Sequence, residues 1–172
     1  MTLRLAPIGD ISAPWQHRPV RQQPPQMPPA PAGTPYDWYQ RAVSFVDAGS
    51  PQAALGLLER LLVEDPQSRS VCELRARALY DAHRYAEAVE AFESLTHMAP
   101  DDDYAHFGLG MALWRLQCFP EARDHLALAS VMRPNRPEYA QALREVRATL
   151  AARREAGLPL QGPVGTDLPL GE

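Results

Sequence analysis

The segment Ala88-Val89-Glu90-Ala91-Phe92-Glu93-Ser94-Leu95-Thr96-His97-Met98-Ala99-Pro100 has landmarks that return at a fixed interval on both sides of it. Thirty-four residues earlier stand Ala54, Leu58 and Pro66; 34 residues later stand Ala122, Leu126 and Pro134. A second set keeps the same interval: Ala42, Ala76 and Gly110, followed three residues on by Phe45, Leu79 and Leu113. Agreement at so many small or apolar positions marks an internal repeat, which governs how every shorter motif is read.

The physical meaning of the pattern is a pair of antiparallel helices per unit, packed closely where small residues let the backbones approach. Ser50-Pro51 supplies an N-cap and a first-turn proline, and Ser70 with Glu73 has capping-box spacing. Asp101 to Asp103 place negative charge where the third unit begins, which the helix dipole favours. The 34-spaced prolines then stop the second helix of each unit. Beyond Pro134, the residues Tyr139, Ala142, Leu143, Val146 and Leu150 recur at helical spacing and cover the last apolar face. Arg144, Arg147, Arg153 and Arg154 fill the remaining faces of that helix and read as solvated.

These residues resemble the tetratricopeptide repeat family. The first unit carries Trp38, Ala42, Phe45, Ala54, Leu58 and Pro66, and the second Cys72, Ala76, Leu79, Ala88, Phe92 and Pro100. The third carries His106, Leu109, Gly110, Leu113, Ala122, Leu126 and Pro134. Arg41 and Arg75 depart from the family by standing where it has leucine, with stems long enough to serve as cover. The resemblance implies an all-α, right-handed solenoid of three helix pairs over 35–68, 69–102 and 103–136, closed by a capping helix over 137–156. Disordered tails are expected on either side, a proline-rich arm over 1–34 and a Gly/Pro tail over 157–172.

Composition agrees with one small domain plus tails. Half of the eighteen prolines lie between Pro7 and Pro35, where missing amide donors favour extended backbone. Formal charge is −4 and all seventeen cations are arginine, scattered along the chain, so no cationic stripe speaks for a nucleic acid partner. Without lysine there is neither Schiff-base chemistry nor a P-loop lysine. Cys72 and Cys118 stand far apart, outside any CxxC, which fits a reducing, cytoplasmic setting. No apolar run reads as a secretory signal or a membrane span.

The search for catalysis or a cofactor nominates none. His17, His83, His97, His106 and His125 lack HExxH or HxH spacing, and His106 falls on an inward-facing position. The acidic triplet at 101–103 lacks the alternation and glycine of a calcium loop, and Gly108 and Gly110 fall inside a helix. Cys118, at a turn near Arg115, has no base beside it and reads as a plain loop cysteine.

Function is therefore expected from the open face of the first helices, which the resemblance implies is a concave groove for peptides. In the third unit His106, Gly110 and Leu113 point inward, so Tyr104, Phe107, Met111 and Trp114 face about 100° away. The equivalent sets are Tyr36, Tyr39, Val43 and Val46 in the first unit, and Ser70, Glu73, Arg77 and Tyr80 in the second. Glu73 and Arg77 have the favourable i to i+4 order, with Asp81 and Arg115 at the edge.

This face suits a protein or peptide with apolar anchors. Family members that clamp a C-terminal carboxylate use lysine and asparagine, whereas the matching positions here include Tyr39, Val43 and Leu74. Two readings stay open: an adaptor or scaffold, and a small chaperone for one client, similar to the tetratricopeptide chaperones of type III secretion. Symmetric self-association through the same face is a further use, and Ile8, Ile11 and Trp15 of the arm either reach the groove or sit on a spacer. Pro25-Gln26-Met27-Pro28 is a PxxP of low specificity.

Overall fold

The computed structural model describes residues 32–163. They form seven α-helices: α1 (Pro35–Asp47), α2 (Pro51–Glu64), α3 (Arg69–Asp81), α4 (Tyr85–Met98), α5 (Asp103–Arg115), α6 (Phe119–Met132) and α7 (Pro137–Glu155). The expectations for Ile8, Ile11, Trp15, the PxxP motif and the last nine residues of the tail lie outside the described residues.

Local signals set the helix ends. Thr34 caps α1 through a capping box in which its side chain accepts from the Asp37 amide and the Asp37 carboxylate accepts from the Thr34 amide at 2.8 Å. Asp102 caps α5 by accepting from the Tyr104 and Ala105 amides, and Asp103 adds charge in the first turn. Ser50 and Pro51 open α2 as expected, without a side-chain cap bond. The Ser70–Glu73 box does not form: α3 starts two residues earlier, at Arg69 after Ser68, which leaves Ser70 inside the helix. The first three odd-numbered helices end in the same left-handed turn, at Gly49 (φ 70°), His83 (φ 59°) and Gln117 (φ 62°).

The curvature follows from which helices meet. Each helix packs on the next in sequence, and α1, α3, α5 and α7 also touch one another in that order. Among the described residues α2, α4 and α6 make no such contacts with each other. The odd-numbered helices therefore line the inside of the curve, and clefts open between the even-numbered ones outside.

The core runs through the stack. Ala42, Ala76, Ala88 and Ala122 are wholly buried beside Leu58, Phe92 and Leu126. Contact is closest at two glycines. A Cβ on Gly108 would stand 2.3 Å from ring atoms of Phe92, and one on Gly110 would stand 2.7 Å from Leu126. Along the 34-residue register Gly108 corresponds to Leu74, and Phe92 to Leu58. A Leu–Leu combination in one layer thus becomes Phe–Gly in the next, a trade of volume between facing helices.

The outer faces of the first and last described helices are polar. Asp37, Gln40 and Ser44 are exposed on α1, at register positions where α3 buries Val71, Leu74 and Ala78. On α7 the expected Tyr139, Ala142, Leu143, Val146 and Leu150 are buried against the stack. Arg144 and Arg147 are exposed where earlier units carry Ala42, Ala76 and Gly110, or Phe45, Leu79 and Leu113. Polar outer faces of this kind keep a solenoid from stacking onto itself.

Further expectations change. Phe45 is 38% exposed, and Val46 is buried with Trp38 and Ala42, because α1 buries only the i, i+4, i+8 line that meets its neighbours. Arg153 is 9% exposed rather than solvated: its guanidinium lies 4.5 Å from the Phe119 ring centroid and donates to the carbonyls of Pro159 and Gly162 at 2.8 Å. That side chain ties residues 158–163, the first part of the expected tail, back onto α6 and α7. Gly162 closes the arrangement by donating to the Gln117 carbonyl at 3.1 Å. His106 packs inward as expected, with Nε2 against the Pro100 carbonyl at 3.1 Å and its ring stacked on His125.

Candidate functional site

Most of the residues expected on the concave face come together in three adjoining pockets. The first, about 500 Å³, is lined by Tyr39, Val43, Ser70, Glu73, Leu74, Arg77 and Tyr104 between α1, α3 and α5. The second, about 190 Å³, is formed by Arg77, Tyr80, Asp81, Phe92, Tyr104, Phe107, Gly108 and Met111. The third, about 600 Å³, holds Met111, Trp114, Arg115, Gln117, Phe119, Glu145 and Arg153. Arg77 and Tyr104 belong to the first two, and Met111 to the last two, so the three form a continuous trough.

Tyr36 lies beyond the trough's first pocket. It is 69% exposed and lines a further hollow bounded by Leu61, Glu64 and Val71, which shares Tyr39 and Ser70 with that pocket. Val46 has left the face for the core. Phe107 is shared between groove and core, its ring stacked on Tyr139 of α7 with centroids 4.4 Å apart.

The electrostatics of the centre differ from the expected Glu73–Arg77 pair. Arg77 instead donates to Asp47 at 3.0 Å and lies 3.7 Å from Asp81. Asp47 is 30 residues away in sequence and reaches Arg77 only because α1 packs on α3. Glu73 makes no ion pair among the described residues. Its burial, then the nearby Asp102 carboxylate, raises its pKa, with Arg69 opposing. Asp81 is also raised, by burial first, with Arg77 and His83 pulling the other way. Arg115 donates to the Tyr80 hydroxyl at 3.2 Å and sits over the Tyr85 ring, which holds the Tyr80 side of the second pocket in place.

The trough offers aromatic walls, a methionine, and a central set of carboxylates with one arginine. Among the described residues no group of three or more His, Cys, Asp or Glu is placed to hold a metal ion. No helix there is long and apolar enough to cross a membrane.

Fold and face together define a short helical-repeat solenoid with an open inner surface. Residues 73–137 match the family model described as "Tetratricopeptide repeat". The same 34-residue register runs on into residues 35–72, so the tetratricopeptide repeat pattern of the matched segment extends through the first unit as well. No curated protein sequence matches it.

Solved structures share the fold. MamA 41-end from Desulfovibrio magneticus RS-1 is 20% identical with TM-score 0.66, covering 72% of this chain and 70% of that one. The first TPR domain of human RPAP3 is 19% identical with TM-score 0.65, covering 71% and 96%. The first TPR of Spaghetti (RPAP3), solved bound to the HSP90 peptide SRMEEVD, is 20% identical with TM-score 0.64, covering 68% and 93%.

Proposed function

We propose that this chain is a protein-interaction module that holds a segment of a partner polypeptide along the concave trough, through apolar anchors at its two ends and polar contacts at its centre. The observation that carries this is the run of pockets sharing Arg77, Tyr104 and Met111: Tyr39, Tyr80, Tyr104, Phe107 and Trp114 are half-buried there, packed on the core on one side and lining the pockets on the other. A peptide ligand on a similar fold, SRMEEVD on the first TPR of Spaghetti (RPAP3), supports this use of the scaffold. The residues proposed to touch the partner are Tyr39, Val43, Glu73, Arg77, Tyr80, Tyr104, Phe107, Met111, Trp114 and Arg115.

Site-specific photo-crosslinking in the source cell tests this. A photoreactive residue at Tyr39, Tyr80 or Met111 is expected to trap the same partner, which a probe at Val131 on the convex side does not trap. One dominant product would mark a dedicated chaperone, and several would mark an adaptor. Identical products from concave and convex probes would remove the reading.

A further inference from the structure

A cleft of about 720 Å³ lies on the convex side, between α2 and α4 above α3, outside the trough. Its lining includes Leu62, Pro66, Cys72, Arg75, Ala91 and Met98. The same place one unit later is filled. There His106 and His125 stack with centroids 5.3 Å apart, 20° between planes, and their Nδ1 atoms lie 3.1 Å apart.

The 34-residue register relates the two places residue by residue: Cys72 stands for His106 and Ala91 for His125. Geometry confirms the correspondence. Cys72 Sγ is 3.8 Å from the Pro66 carbonyl, as His106 Nε2 is 3.1 Å from the Pro100 carbonyl. Two planar rings have thus been replaced by a thiol and a methyl while the surrounding backbone is repeated. Arg75 adds a second difference. It is half-buried where Leu109 is 1% exposed, and makes no ion pair among the described residues.

We propose that this cleft is a docking site for one aromatic side chain of a partner protein, seated in the volume that His106 and His125 fill in the next unit. The ring lies against Ala91 and Cys72, with the Arg75 guanidinium over its face as the polar contact a leucine could not supply. The internal copy shows that the flanking helices accept planar rings at this depth. Arg75 favours an electron-rich ring over an aliphatic chain. The site is separate from the concave trough, so a partner held in the trough and one held here do not compete.

Disulfide exchange with the full chain tests this directly, because Cys72 is in the cleft and Cys118, at the α5–α6 turn, is not. The probes are two disulfide reagents of the same linker, one ending in a phenyl ring and one in a branched alkyl group of similar size. Burial raises the Cys72 thiol pKa, with Arg75 opposing, so exchange is run at mildly alkaline pH to equilibrium. At Cys72 the phenyl reagent is expected to be retained about fivefold over the alkyl one, the ratio of a single partly desolvated cation–π contact. At Cys118 the two should be equal.

Ala91→His, which restores the residue of the next unit, is expected to abolish the preference with an unchanged circular dichroism spectrum. Arg75→Leu is expected to reduce it without closing the cleft. Equal retention at Cys72, no capture there while Cys118 reacts, or a preference that survives Ala91→His each overturns the proposal.

Discussion

Two Gly→Ala substitutions should change stability in opposite directions, and their difference measures how closely α4 and α5 approach. Gly56 is exposed within α2 and an added Cβ meets nothing within 4 Å. Alanine there removes backbone freedom from the unfolded chain and should stabilise by about 0.5–1 kcal/mol. Gly108 lies within α5, and its Cβ would stand 2.3 Å from two ring carbons of Phe92, against roughly 3.5 Å for ordinary contact. Phe92 is 2% exposed, so the ring cannot swing into solvent.

Overpacking of this kind costs about 1–3 kcal/mol, and the size of the overlap places it toward the upper end. Setting the helix-propensity gain of about 1 kcal/mol against it leaves Gly108→Ala destabilised by about 1–2 kcal/mol. With a urea slope of about 1.5 kcal/mol/M the denaturation midpoint should fall by roughly 1 M, while Gly56→Ala raises it by roughly 0.5 M. Phe92→Leu restores the residue that the first unit carries at Leu58. On its own it leaves a void; combined with Gly108→Ala, it should recover most of the loss. Gly108→Ala with the same sign as Gly56→Ala, or a double variant no better than the worse single one, would show that the helices do not meet through this contact.

Asp102 is 7% exposed, caps α5 and bonds Arg69 at 2.8 Å, so Asp102→Ala should cost about 1–3 kcal/mol by chemical denaturation, whereas Asp102→Asn keeps the cap and loses less. Burial, then the proximity of His106, lowers the His125 pKa below 6.5, with Asp124 and Glu93 opposing. The native state therefore binds this proton less readily than the unfolded chain. The His125 contribution is complete above about pH 6.5 and fades as pH falls through the folded value. The denaturation midpoint should drop between about pH 7.5 and about pH 5.5, and drop less in His125→Ala. Arg153→Ala should free residues 158–163: hydrogen exchange at the Leu158 and Gly162 amides should accelerate about tenfold or more, with little change in global stability.

What the sequence made legible was whatever recurs at 34 residues or within one helical turn. The proline stops, the alanine lines, the inward His106 and the buried side of α7 all belong to this class. Long, jointed side chains were the obscure part, because their partners are chosen by packing. Arg77 took Asp47 and Asp81 instead of Glu73, and Arg153 turned back onto Phe119 although its place in the sequence suited a solvated helix end. Phe45 departs from its register line of Leu79 and Leu113 because, among the described residues, no helix precedes α1 to complete that layer. The convex cleft was within reach. Cys72 and His106 were already aligned, and extending the alignment to Leu57, Ala91 and His125 shows the missing bulk.

The same register makes the concave reading quantitative. Position by position, the three units present Tyr39, Glu73 and Phe107, then Val43, Arg77 and Met111. The outer units are apolar and the middle one is charged. Neighbouring odd-numbered helices lie about 8–10 Å apart, so apolar anchors seated on the first and third units are separated by about 20 Å. An extended segment covers that distance in about six residues, and a helical one in about thirteen. Under the proposed function, peptides carrying two leucines at varied separation should bind with a single optimum by fluorescence anisotropy. Its position reports the bound conformation: about six for an extended ligand, about thirteen for a helix. An acidic residue placed midway should weaken binding through Glu73 and Asp81, and an arginine should strengthen it. Affinity that ignores anchor separation would mean that the two ends of the trough do not act on one ligand.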